Sequence, residues 1–208
     1  MAFSMDQALS APDRVRAALM AAGVEARIQE FDVSTRTALE AADAIGTSVG
    51  QIVKSLVFIA GDAPLLALVS GINQLDTARL GALTGRRISR ADANAVRETT
   101  SFAIGGVPPA GFPAAIPTYI DRDLMGYDIV WAAAGTPRHV FPITPAELQR
   151  LTDGTVVDLK PPPDPPPPAG EGNMAALPRQ GGGGIWLPFP QGGNMAALPR
   201  QLGEGKNG

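Results

Sequence analysis

The sequence predicts an α/β (α+β) domain built on a mixed β-sheet and spanning residues 1–159. Three observations predict it. Short apolar runs of strand length alternate with amphipathic runs of helix length, each bounded by Gly, Pro, Asp or Ser. Several strand runs are joined by connections too short for the crossover helix of a regular doubly wound sheet. Hydrophobic residues make up 45% of the 208, which is enough for a core.

The elements follow in order. Ser10 or Asp13 caps a helix running to about Ala22, with Val15, Ala18, Leu19 and Ala22 on one face and Gly23 as its stop. Glu25–Val33 alternates loosely and reads as a strand. Thr37–Ile45 is an alanine-rich helix ending at Gly46, and Ser48 starts a short further turn. Lys54–Ala60 and Leu65–Ser70 read as a hairpin around the turn Gly61-Asp62-Ala63-Pro64. Asp76–Leu83 is a helix ending near Gly85, followed by a short strand at Arg87–Ser89 and a helix Asp92–Thr99 capped by Asp92. Phe102–Val107 leads into a loop dense in Gly and Pro, residues 105–117. Thr118–Asp121, Ile129–Ala133 and Arg138–Ile143 are short strands. Thr144 caps a last helix, Pro145–Leu151, with proline at its first position, and Val156–Leu159 closes the domain.

After Leu159 the composition changes. Residues 160–208 contain 11 Pro and 11 Gly among 49 positions, so they cannot bury a core and are expected to be disordered. This tail opens with a polyproline run, Pro161 to Pro168, and carries two copies of Gly-Asn-Met-Ala-Ala-Leu-Pro-Arg-Gln, at 172–180 and 193–201. Two copies are too few for a stacked repeat array. The tail reads either as a dispensable low-complexity extension or as a partner-binding segment anchored by Trp186 and Phe189.

Composition also excludes chemistry. Without cysteine there is no disulfide framework, thiolate metal site or thiol nucleophile, and one histidine excludes two-His zinc motifs. The formal net charge of −3 exerts no general pull on nucleic acid, so RNA contact must rely on a local basic patch. Arg86, Arg87, Arg90 and Arg97 supply one, which reads equally as a solvated face paired with Asp92 and Glu98. The first thirty residues lack a continuous apolar stretch, and the most apolar run, Ile52–Ala60, is short and carries Lys54. A cytoplasmic protein is expected.

Lys54 stands out by counting. It is the single lysine among the 13 basic residues of positions 1–159. It sits inside Ile52-Val53-Lys54-Ser55-Leu56-Val57-Phe58-Ile59, where an ammonium is costly unless it faces a cleft or a partner. There it would be a compact cation suited to a phosphate or a developing oxyanion; the alternative is a solvent-facing residue on an edge strand. Gly105, Gly106, Val107, Pro108 and Pro109 form a second feature. Paired glycines let backbone approach a ligand and the prolines stiffen the loop, which fits a pocket wall or a rigid connector. His139 has no Ser–His–Asp arrangement around it and reads as structural more readily than catalytic. Asp121, Asp123 and Asp128 admit a Mg²⁺ site or turn-forming roles.

Together these segments resemble the YbaK/prolyl-tRNA synthetase-associated editing family. The resemblance rests on residues 34–38, on Gly50–Phe58, on Val69-Ser70-Gly71 with Leu75-Asp76, on Phe102–Pro109, on Pro117–Asp121 and on Val130–Pro137, collinear over roughly residues 10–159. It implies a mixed, partly barrel-like sheet flanked by helices, and a deacylase that hydrolyses the ester of mischarged tRNA without a metal or other cofactor. The expected substrate is tRNA-Pro carrying Ala, Ser, Thr or Cys, recognised at its 3′ CCA end, with an aminoacyl-tRNA synthetase as a further partner and none in membrane or DNA. The resemblance assigns Lys54 to holding the terminal adenosine or its phosphate and orienting the ester. It assigns Gly105–Pro109 to the aminoacyl group and to size exclusion, and Gly135 to the same pocket, with Phe31, Thr37, Ser70 and Gly71 as further substrate-binding positions. Hydrolysis is attributed there to a positioned water. Where some relatives carry Ser-Gly-Gly, this chain has Ala133-Ala134-Gly135, which leaves the amino-acid preference open. The alternative is a non-catalytic tRNA- or synthetase-binding protein of the same fold.

Overall fold

Caps written into the sequence set the helices of the computed structural model, which describes residues 9–31 and 37–162. Helix α1 (Ala11–Ala21) starts where the Ser10 hydroxyl accepts from the Asp13 N–H, and it buries Val15 and Leu19. Helix α2 (Ala38–Ile45) opens on a reciprocal capping box between Thr37 and Glu40 and stops at Gly46, whose φ of 77° suits glycine. Asp76 caps α3 (Thr77–Thr84), and Asp92 caps α4 (Ala93–Thr100). Thr144 and Glu147 form the capping box of α5 (Pro145–Thr152).

The strands are β1 (Gln29–Glu30), β2 (Val53–Ala60), β3 (Ala63–Ser70), β4 (Ile88–Arg90), β5 (Thr118–Asp121), β6 (Val130–Ala133), β7 (His139–Ile143) and β8 (Thr155–Val157). Five form one sheet in the order β4-β2-β3-β5-β8, with β3, β5 and β8 parallel and the rest antiparallel. The other three form an antiparallel sheet, β1-β7-β6. An isolated parallel bridge, Ile52 to Trp131, joins the two sheets, which do not close into a barrel. The mixed α/β architecture read from the sequence is the one observed.

Strand parity sorts the core. On β2 and β3, Val53, Val57, Leu66 and Leu68 join Val15, Leu19, Phe102, Phe141 and Leu148 on one side of the larger sheet. Phe58, Leu65, Ala67 and Val69 pack on the other side with Leu80 and Leu159. A third, smaller group places Ala41, Ala42 and Ile52 against Trp131.

Several strand and helix ends shift by a residue from the sequence reading, and four further details differ. Of the strand read over 25–33, residues 32 and 33 lie outside the described residues, and among the rest only Gln29–Glu30 form a strand, because both are exposed and no buried face enforces longer pairing with β7. The β2–β3 turn is only Gly61-Asp62, and Pro64 lies in β3 opposite Ile59, near the strand start where proline is tolerated. A 3₁₀ turn at Arg122–Gly126, opened by the Asp121 side chain, had no apolar period to reveal it. The last strand starts at Thr155 and not Val156. The repeats, Trp186 and Phe189 lie outside the described residues, as do positions 34–36 of the resembling segments. Among the described residues no helix is long and apolar enough to cross a membrane.

Candidate active site

The site begins with a gap in sheet pairing. Strand β4 pairs with β2 only at Phe58–Ala60, and the bridge to β6 involves Ile52, so residues 53–56 of β2 carry no strand on that edge. The Val57 carbonyl accepts from the Ala91 N–H at 3.3 Å and so faces this edge. Alternation along an antiparallel strand turns the N–H and C=O groups of Val53 and Ser55 the same way, into the gap. The gap is a cleft of about 360 Å³. Thr37, Ala38, Ala41 and Ile45 of the α2 segment form one wall, and Ile52–Leu56 of β2 another. Ile104, Gly105 and Val107 form a third wall, and Trp131, Ala133, Thr136, Pro137, His139 and Val140 complete the enclosure.

Lys54 is on the β2 wall. Its Nζ donates to the Gly71 carbonyl at 3.1 Å and, by a shorter contact, to the Asn73 carbonyl. An ammonium has three donors, so one remains for a ligand. Burial pushes this ammonium below its ordinary value, and the Asp121 charge partly restores it. The turn that receives Lys54 is itself anchored. Buried Asp121 accepts from the Ser70 N–H at 3.1 Å and from Asn73 Nδ2 at 2.7 Å. Asn73 Nδ2 also donates to Asp123 at 2.9 Å, and Lys160 donates to Asp123 at 2.8 Å. The Lys160 and Asn73 donors hold the Asp123 carboxyl below its usual value. The three aspartates read as a possible metal cluster are therefore partly spent on this scaffold. Among the described residues, no group of three or more acidic or His side chains is arranged to hold a metal ion.

The Gly105 loop is held from behind. The Arg14 side chain donates to the Ser101 carbonyl at 2.8 Å, and its guanidinium lies 4.4 Å from the Phe102 ring centroid. Phe102 meets Phe112 edge to face with centroids 6.2 Å apart. Gly106 is required here by closeness: an added Cβ would lie 2.6 Å from Thr136 Cα and 2.8 Å from its N. That contact locks the loop onto the β6–β7 turn.

Of the residues singled out from the sequence, Lys54, Thr37, Gly105 and Val107 line the cleft together. Gly106, Pro108 and Pro109 are buried behind the loop. Gly135, with φ of 93°, packs against Ala11 at the start of α1. Ser70 is buried and donates its hydroxyl to the Gly50 carbonyl at 2.7 Å, while Gly71 serves the site through its carbonyl. Phe31 exchanges bonds with Arg138, N–H to carbonyl at 2.8 Å and guanidinium to carbonyl at 2.9 Å, outside the cleft lining. His139 does line the cleft; its Nδ1 is 2.6 Å from Thr136 Oγ1 and its Nε2 is 3.7 Å from Glu30. Arg86, Arg87, Arg90 and Arg97 are exposed. Ser55, Ile104, Thr136 and Asn73 were not singled out. For Ser55 the usable signal was parity, since it falls between the core-facing Val53 and Val57.

A free strand edge, a tethered lysine and a clamped glycine loop thus surround one largely apolar cleft on a mixed α/β scaffold. Residues 32–151 match the aminoacyl-tRNA editing domain, and the chain belongs to that family. It is 32% identical over 126 residues to the uncharacterised YwhH of Bacillus subtilis strain 168, covering 60% of this chain and 80% of that protein. It is 25% identical over 120 residues to EbsC of Enterococcus faecalis, provisionally named a Cys-tRNA(Pro)/Cys-tRNA(Cys) deacylase, covering 57% of this chain and 73% of that protein. A crystal structure described provisionally as a trans-editing enzyme for prolyl tRNA synthetase is 50% identical, with a TM-score of 0.71, over 74% of this chain and all of that one.

Proposed function

We propose that this chain is a trans-acting aminoacyl-tRNA deacylase that hydrolyses the ester of tRNA-Pro carrying a small wrong amino acid, Ala, Ser, Thr or Cys. The observation that carries this reading is the cleft itself, where one lysine and the Gly105–Val107 loop line the same largely apolar space. An aminoacyl ester is already activated, so holding it against a water and stabilising the developing oxyanion can suffice. Lys54 supplies the cation. The Gly105–Val107 backbone, fixed by Gly106 against Thr136, limits the size of side chain that enters, which is the sieve that editing needs. The 3′ CCA end of the tRNA is the partner at this cleft, and a synthetase that delivers the tRNA would compensate for the acidic balance of the domain. A stable amide analogue of 3′-alanyl-adenosine tests the site. Its NMR shifts should concentrate on residues 52–56, 104–107 and 136–140; shifts confined elsewhere would remove the cleft from the reading.

Two further results are expected. Gly106→Ala pushes the loop off Thr136, and a displacement of about 1 Å at a positioning loop costs roughly a hundredfold in rate. Single-turnover deacylation should fall by that order while circular dichroism is retained. The second concerns pH. The ammonium form of Lys54 does the work, and its pKa is lowered by burial. The protein-dependent rate, after subtraction of spontaneous ester hydrolysis, should therefore decline on the alkaline side below the ordinary lysine value of 10.5. The sign for stability is opposite: between the folded and unfolded pKa the unfolded chain binds more protons, so this group makes the fold more stable as pH rises.

A further inference from the structure

Ser55 Oγ is buried and has no hydrogen-bond partner. The neighbouring hydroxyls at the site are engaged. Thr136 is paired with His139, Ser70 donates to Gly50, and Thr37 caps α2. A buried unpaired hydroxyl is a standing cost, and a methyl group of similar shape would remove it. Its position is informative. A second recess of about 190 Å³ opens off the main cleft, sharing Ser55, Leu56, Ile104, Gly105 and Val107 with it. Ser55 therefore stands where the two spaces join, under the glycine loop. Beyond it the recess is walled by Val57, Phe58, Ala91 and Val96, with Arg90 as its one charged lining residue. On strand β6, Ala133 lines the main cleft and offers no hydroxyl.

We infer that the recess receives the amino-acid side chain of the bound ester and that Ser55 Oγ is its hydrogen-bond partner, selecting side chains with a hydroxyl or thiol on Cβ (Ser, Thr, Cys) over Ala. The inference rests on the deacylase reading and names its substrate class. The physical reason is asymmetry. An apolar pocket separates side chains differing by a methylene or an added hydroxyl by only about 10–200-fold. A pocket holding an unpaired buried hydroxyl disfavours an analogue that leaves it unpaired. Serine, threonine and cysteine side chains satisfy Ser55; an alanine methyl does not.

The experiment compares wild type, Ser55→Ala and Ser55→Thr on Ser-, Thr-, Cys- and Ala-tRNA-Pro, with a thermal melt of each protein. In Ser55→Ala, the ratio of kcat/KM for the Ser and Cys esters to that for the Ala ester should fall about tenfold to a hundredfold, equivalent to about 1.4–2.8 kcal/mol and within the cost of leaving the substrate's buried polar group unpaired. Its melting temperature should be no lower than wild type, and Ser55→Thr, which keeps the hydroxyl, should recover the ratio. Hydrolysis by wild type with ratios unchanged within about twofold in Ser55→Ala overturns the assignment while leaving the deacylase reading intact. Absence of hydrolysis by wild type overturns the deacylase reading and this assignment with it.

Discussion

Lys54→Ala should reduce protein-dependent deacylation by about a hundredfold to a thousandfold, the usual loss when one oxyanion-stabilising donor is removed from a prepared site. The fold should survive. The ammonium ties down only two backbone carbonyls, Gly71 and Asn73, and the turn that carries them is held independently by Asp121. The stability change is therefore on the order of one ordinary hydrogen bond, about 1 kcal/mol. Single-turnover hydrolysis on pre-charged tRNA-Pro, with circular dichroism of the same sample, separates the two. Arginine should not rescue it, because a planar fork does not fit a tether built for a compact ammonium. Equal rates for Lys54→Ala and wild type would remove the lysine from the chemistry.

Asp121→Asn should be the most destabilising near-isosteric change at the site. One carboxylate oxygen accepts from the Ser70 N–H and Asn73 Nδ2, and the other accepts from the Asp123 N–H at 3.2 Å. An amide has one acceptor. Whichever way it turns, its NH₂ group faces a donor, in a place with no exposure to water. Breaking such a buried network costs roughly 3 kcal/mol, which for a domain of this size lowers the melting temperature by about 6–12 °C. Activity should fall as well, because the 71–73 turn that orients Lys54 loosens; Asp121 acts as a positioning residue through that turn. Calorimetry together with the alkaline limb of the rate profile checks both. A melting temperature within about 2 °C of wild type would contradict the role given to Asp121.

Local chemistry was legible in the sequence wherever it is settled within a few residues. Asp92 and Thr144, read as caps by residue type, are the caps observed; of the two candidates Ser10 and Asp13 it is Ser10 that caps, and Thr37 and Asp76, read as first helical residues, are caps. Strand β5, at Thr118–Asp121, falls where its apolar alternation places it. Lys54 was conspicuous because an ammonium inside an apolar strand needs an explanation, and the paired glycines at 105 and 106 because they permit close backbone approach. The cleft was not legible, since it arises from a mismatch in pairing lengths: β4 pairs with three residues of an eight-residue strand and leaves residues 53–56 unpaired on that edge. The anchor of Lys54 was equally hidden. It spans Asn73, Asp121, Asp123 and Lys160, and no short-range pattern links them. Lys160 falls where the composition turns to proline, yet its ammonium reaches back to Asp123 and its carbonyl accepts from Arg79 at 2.8 Å.

The most direct test of the central claim is release of amino acid from Ala-, Ser-, Thr-, Cys- and Pro-tRNA-Pro by the purified full-length chain, each measured against the rate without protein. The account predicts accelerated hydrolysis of at least one of the four small wrong esters and none of the cognate prolyl ester. No acceleration of any ester, with tRNA still bound, would contradict it and leave a binding protein on an editing-domain fold.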